Sequence, residues 1–290
     1  MDRDSLMARG VAVLEEPDPW AKAQRTANAA DLWRRGKLAV GLDGCAEHLP
    51  LPPERPARAE RPLLMAPRAM ARRRIGSGGR GRIALVHALA HIELNAIDLA
   101  WDLMVRFAAP ALPPAFFDDW VAVAADEARH FLMLSKRLRE LGAGYGDLPA
   151  HDGLWQAAAR TRHDLLARLA VVPLVLEARG LDVSPAMAAR LDRAGDPISA
   201  GIIREIMDDE IAHVGAGRRW FEHLCRDRAC DPVATYQAHV RRYFDGRVKP
   251  PFNDAARGRA GFGPEYYRPL ARAQAGDHAA PDGAQIAPDT

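Results

Sequence analysis

The segments DEARHF at 126–131 and DDEIAHV at 208–214 decide how this chain is read. Each contains Glu-x-x-His: Glu127 with His130, and Glu210 with His213. Residues three apart on a helix share one face, with Cβ atoms roughly 5–6 Å apart. One helical turn therefore offers a carboxylate and an imidazole to the same point. Around the first pair, Phe117, Trp120, Ala124, Phe131, Leu134 and Leu138 recur at helical spacing. Around the second, Ile203, Ile206, Val214, Trp220 and Phe221 do the same. Both pairs thus fall inside stripes that face a core.

Upstream of each pair lies a further carboxylate on an apolar face. Glu93 sits in the stripe Val86, Ala90, Ile97, Ala100, Met104, and Glu177 sits among Leu166, Leu169, Pro173 and Leu181. Glu93 precedes Glu127 by 34 residues, and Glu177 precedes Glu210 by 33. The chain thus reads as two helical hairpins, each giving one Glu from its first helix and Glu-x-x-His from its second. Two such hairpins make a four-helix bundle whose facing side chains supply six ligands. A carboxylate buried without a partner costs several kcal/mol, on the order of the effective penalty for a buried ion. Two divalent cations balance four carboxylates. The expected metal ligands are Glu93, Glu127, His130, Glu177, Glu210 and His213. Imidazole with carboxylate suits iron or manganese better than magnesium or calcium, so the expectation is two divalent ions, Fe first, with Mn or mixed Mn/Fe as alternatives.

The flanking sequence predicts helices and little else. Asp18-Pro19 reads as a helix start and Gly41 to Gly44 as a stop. Residues 49–81 are rich in Pro, then Arg, then Gly, and read as a long irregular connection. Helices are expected over 82–109, 116–141, 154–180, 197–225 and 232–245. KPPFN (249–253) and AGFGPEYY (260–267) read as an ordered irregular tail, and residues from Ala271 as disordered. The expected fold is all-α, divided as 1–81 (N-terminal helices and connection), 82–225 (the bundle), 226–270 (a C-terminal helix and tail packed on it) and 271–290 (tail).

Composition bounds the function. The chain has 290 residues, 40 Lys+Arg against 38 Asp+Glu, a net charge of +2 and 48% hydrophobic residues. Such a balance excludes a strongly basic nucleic-acid coat and an acidic solvating protein. Three cysteines, Cys45, Cys225 and Cys230, form no C-x-x-C and read as reduced thiols. The N-terminus MDRDSLMARG lacks the apolar run of a signal peptide, and no stretch reaches about 18 consecutive apolar residues. A cytoplasmic protein with no membrane partner is expected.

Other features carry two readings each. His87 and His91 stand at i, i+4, but His91 lies about 200° around the helix from Glu93. They share a face with Asp98 and Asp102, and either hydrogen-bond neighbouring helices or take a place behind the metal ligands or on the substrate side of the site. Pro173, four residues before Glu177, either kinks a long helix harmlessly or distorts it so as to aim Glu177 or open an access channel. Glu205 falls on the surface. The stretch Arg68, Arg72, Arg73, Arg74, Arg80, Arg82 with its glycines is either a solvated loop or a phosphate or RNA contact.

The motifs also resemble a known superfamily. Asp126-Glu127-Ala128-Arg129-His130 is similar to the Asp-Glu-x-Arg-His motif of ferritin-like di-iron carboxylate proteins, and Asp209-Glu210-Ile211-Ala212-His213 is its partner, with Ala212 where Arg is often found. The resemblance implies that Asp126 orients His213 and Asp209 orients His130, with Arg129 in the same layer. Over about residues 8–270, the segments HALAHIELNAIDLAWD, DEARHF, LEARGLD, DDEIAHV and KPPFN resemble the ferritin-like family called domain of unknown function 455, similar in turn to the tRNA hydroxylase MiaE. The resemblance implies an O2-dependent di-iron oxidoreductase or hydroxylase, with an electron-donor reductase as partner. The substrate is a small molecule in the first reading and tRNA in the second. A third reading is a non-catalytic metal-handling or binding protein.

Overall fold

The computed structural model describes residues 5–42, 51–66 and 79–276. Among them are eleven α-helices and no strand, only the isolated bridges Ser5–Ala39 and Leu64–Ala150. The all-α expectation holds.

Two N-terminal helices come first. The Ser5 hydroxyl caps α1 (Leu6–Leu14), accepting from the Ala8 amide at 3.2 Å. The Asp18 carboxylate caps α2 (Pro19–Arg34), accepting from the Ala21 amide at 2.8 Å, with Pro19 in the first turn. This is the N-terminus that Asp18-Pro19 predicts. The helix ends at Arg34, well before the expected stop at Gly41.

The two hairpins follow. The helices α3 (Gly79–Phe107) and α4 (Pro114–Glu140) pack along each other across a connection that holds Pro110 and Pro113, with Pro114 opening α4. The third expected helix departs from its predicted bounds. It begins as a separate short helix, α5 (Gly153–Arg160), and restarts at α6 (Leu165–Val171), where the Asp164 carboxylate accepts from the Leu166 amide. It then passes through a π-helical segment (Val172–Glu177) into α7 (Ala178–Arg193). Gly180 does not stop it; Gly195, at φ +74°, lies just past its end and takes the left-handed conformation that suits glycine. Then α8 (Pro197–Asp227) starts on the Asp196 cap and packs back along α7 and the π segment. Gly217 makes that approach possible, because a Cβ there would lie 2.5 Å from Pro173 Cβ.

The C-terminal part forms α9 (Pro232–Tyr243), α10 (Asp254–Arg259) and α11 (Pro264–Gly276). Two expectations are corrected here. AGFGPEYY runs into a helix capped off by the 260–263 turn, and residues 271–276 are helical; the remainder of that tail lies outside the described residues. So do Cys45 and Arg68, Arg72, Arg73 and Arg74 of the Arg-rich stretch, whereas Arg80 and Arg82 belong to the first turn of α3.

One hydrophobic core runs from Leu6 in α1 to Leu270 in α11. Every apolar stripe residue named above on α3, α4 and α8 is buried. The long helix α3 is buried nearly all round. It is the helix, among the described residues, long and apolar enough to cross a membrane, but 78% of that stretch is buried inside the protein. A long helix enclosed by other helices in this way is a core helix.

The polar face of α3 carries the N-terminal helices. Asp98 receives the Lys22 ammonium at 2.5 Å and the Arg58 guanidinium. Asp102 receives Arg106 and the fully buried Arg168 of α6, the latter at 2.5 Å. Paired in this way, these charges tie α2, the 51–58 segment and α6 to the central helix.

Candidate metal centre

Glu93 on α3, Glu127 and His130 on α4, and Glu210 on α8 each bring a ligand atom to one place, all within 4.8 Å of one another. All four are buried. His213 joins them: its Nδ1 lies 3.2 Å from Glu127 Oε1 and 3.5 Å from Glu210 Oε2. His130 Nδ1 lies 3.2 Å from Glu93 Oε2 and 3.7 Å from Glu127 Oε2. Glu127 therefore stands between the two imidazoles. Glu177, at the end of the π segment, stands outside that 4.8 Å group. It borders the same cavity as Glu93, Glu127 and Glu210.

Several buried atoms here lack a hydrogen-bond partner: Glu127 Oε1 and Oε2, Glu177 Oε2, Glu210 Oε2 and His213 Nδ1. Orphaned buried acceptors are rare in proteins, because each loses its hydration without replacement. Five converging on one cluster of carboxylates and an imidazole are what a site shaped for cations looks like from the protein side. The donor set fits: carboxylate and imidazole together, with the one guanidinium nearby, Arg129, touching the outward Nε2 of His130 at 3.4 Å and not the inward Nδ1.

The electrostatics agree. Burial pushes the Glu93 carboxyl well above the ordinary range, and the neighbouring Glu127 pushes it further. Burial, then Glu210 and Glu127, does the same to Glu177; burial and Glu127 raise Glu210. For Glu127 burial also pulls upward, but the neighbouring His130 and His213 imidazoles outweigh it and hold the group below the usual carboxylate range. Burial opposes a charged His130, yet Glu127 and Glu93 raise it to about 11, and His213 is likewise raised, against burial, by Glu210 and Asp126. Without metal, protons supply the positive charge that the carboxylates demand.

The second ring nitrogens point outward to carboxylates on the opposite helix. His130 Nε2 lies 3.0 Å from Asp209 Oδ2, and His213 Nε2 lies 3.3 Å from Asp126 Oδ2. Each Asp immediately precedes a Glu of the cluster and crosses to the other helix's imidazole. Arg129 bridges the two, donating to Asp209 Oδ2 at 2.5 Å and to Asp126 Oδ1 at 3.4 Å, and it also holds the exposed Glu205 at 2.7 Å. With Ala at 212, one guanidinium serves both halves.

His87 and His91 do not support the cluster, which corrects one of the expectations for them. His91 Nδ1 meets the Tyr145 hydroxyl at 2.8 Å and its Nε2 meets the His151 carbonyl at 3.2 Å. His87 Nε2 accepts the Gly146 amide at 3.0 Å. Both face the loop after α4, about half a turn from Glu93. Cys225 and Cys230 are free thiols remote from the cluster.

Sequence reasoning passed over two features. Arg129 as a bridge was legible only in part, since its reach to Asp209 depends on the packing of α4 on α8. The apolar cavity in front of the carboxylates has no local signal, because its walls come from five separate segments.

An all-helical protein with a buried Glu/His cluster able to hold metal is the class that fold and site define. The chain belongs to the family described as "Protein of unknown function (DUF455)", whose model matches residues 15–268. It is similar to an uncharacterized protein of Haemophilus influenzae, 39% identical over 208 residues, which cover 70% of this chain and 72% of that one. No solved structure matches the chain.

Proposed function

We propose that this chain is a ferritin-like di-metal carboxylate protein, with iron as its metal, and an O2-dependent oxidoreductase acting on a small molecule in the cytoplasm. The observation that carries the reading is Glu127: both oxygens are buried without a hydrogen bond, between the two imidazoles, at the meeting of two pseudo-repeated hairpins. Glu93, Glu127 and His130 would hold one ion, and Glu177, Glu210 and His213 the other. Two such ions, when bound, supply the redox chemistry that activates O2.

The chain's own residues do the rest. Asp209 and Asp126 fix the imidazoles with Nδ1 turned inward, which sets ring orientation and raises ligand basicity. Arg129 holds both Asp residues in place. Ile97 and Val214, one helical turn beyond Glu93 and Glu210, are buried and keep water from the cluster. The π segment sets Glu177 at the cavity wall; π segments inside α-helices often mark functional positions. Anaerobic loading with Fe(II), followed by mixing with air-saturated buffer, tests the proposal. Rapid O2 uptake by the native chain, and none above the buffer rate in Glu127→Ala, is expected. Iron loading without O2 uptake would leave a metal-binding protein that is not an oxidoreductase.

A further inference from the structure

The four carboxylates have an outward side, and its character says what they meet. Glu93, Glu127, Glu177 and Glu210 all border one cavity of about 250 Å3, whereas His130 and His213 are not among its lining residues and turn their Nε2 atoms to Asp209 and Asp126. The cavity lies between two small apolar clusters, one around Leu85 and Ile203 and one around Leu99 and Val172. Leu89 and the 40%-exposed Ile92 are also among its lining residues. Beyond the carboxylates, Arg179 and Ser184 are, among the described residues, the ones that bring polar side chains to it. Arg179 is already engaged, since its Nη1 donates to the Lys249 and Pro251 carbonyls at 2.9 and 3.0 Å.

We infer that this cavity binds a small, uncharged, largely apolar organic compound and presents it to the carboxylate cluster, an inference that rests on the di-metal reading for its consequence but not for binding itself. Its volume is below the roughly 300–1,000 Å3 of pockets for drug-sized ligands. At about 30 Å3 per water-sized group it admits a compound on the order of eight heavy atoms. Aliphatic walls reward apolar surface at about 25 cal/mol per Å2 and leave a charged group without a partner. A nucleotide requires cationic groups for its phosphates, and among the described residues the walls offer the guanidinium of Arg179, already held by two carbonyls. The observations therefore favour a free small molecule over a tRNA.

The experiment uses the full chain with 13C-methyl-labelled methionine, and metal content is measured on the same sample. Met187 lines the cavity, whereas Met7 is packed in α1. Toluene is the probe, with benzoate as its charged counterpart and a tRNA anticodon stem–loop as the nucleic acid. Toluene is expected to shift the Met187 methyl resonance saturably and leave Met7 in place, while benzoate and the stem–loop do neither. Gly180 also lines the cavity, and a Cβ there meets nothing within 4 Å, so Gly180→Leu narrows the space without displacing backbone. That variant is expected to weaken toluene binding about tenfold or more. Ala96→Leu, at a second wall position, is expected to do the same. No saturable shift at Met187 with toluene would overturn the inference, as would equal binding of benzoate or displacement of toluene by the stem–loop. A toluene shift in protein that takes up no metal would sustain the cavity assignment and sink the di-metal reading.

Discussion

Glu127 lies between two imidazoles, with Oε1 3.2 Å from His213 Nδ1 and Oε2 3.7 Å from His130 Nδ1. That position follows from Glu-x-x-His on one helix meeting the same motif on another. The Asp residues one position earlier are rotated about 100° from the Glu residues. They therefore reach past the cluster to the far imidazole. Asp209 is the stronger of the two supports, because it holds His130 at 3.0 Å and is itself held by Arg129 at 2.5 Å. Asp209→Asn keeps the shape but removes the charge that His130 leans on. Metal affinity is expected to fall by roughly 10–100-fold, the usual effect of losing a partner behind a metal-bound imidazole. Competition with a chromophoric chelator measures it, and the far-UV circular dichroism is expected to stay unchanged. An unaltered affinity would show that the Asp–His contact does not act on the site.

At the scale of elements, the sequence displays its helices where caps and stripes coincide. Asp18-Pro19, Asp196-Pro197 and Asp231-Pro232 each pair a capping carboxylate with a proline in the first turn, and each begins a helix. The break at 161–164 was not legible, because Thr161, Arg162 and His163 contain neither Gly nor Pro; Thr161 instead turns to receive Arg168 at 3.0 Å, a tertiary contact. Pro173 signals a disturbance, but not its form, a π segment ending at Glu177 that packs closely on Gly217 of α8. His87 and His91 looked like site residues because i, i+4 histidines match a metal spacing. They serve the loop after α4, and that has a consequence for pH. Burial, helped by the Arg58 charge, depresses His91 from 6.5 to about 3. The unfolded chain then binds a proton between those values that the folded chain refuses. The stability contributed is full above about pH 6.5 and is lost as pH falls toward 3. His91→Gln is expected to flatten the slope of unfolding free energy against pH between 6 and 4, by up to about 1.4 kcal/mol per pH unit. Urea unfolding at several pH values measures it, and parallel slopes for both proteins would contradict the assignment.

Across the whole molecule, the near-neutral charge of +2 conceals a sharp separation of charge. Four carboxylates and two imidazoles collect in a core that is otherwise aliphatic and aromatic. Arg and Lys gather instead around Asp98, Asp102 and Asp182, where they bind the terminal segments to the central helices. The carboxylate excess was legible in the sequence by helix face alone, since each residue departs from an apolar stripe that would exclude it. The cavity and the single-arginine bridge were not, since they exist only once separate segments meet. The measurement that bears most directly on the account is the metal content of the desalted chain after anaerobic loading with Fe(II), by mass spectrometry of the element against protein concentration. The account predicts two ions per chain for the native protein and fewer than one for Glu127→Ala. Fewer than one ion in the native chain, or an undiminished content in Glu127→Ala, would contradict it.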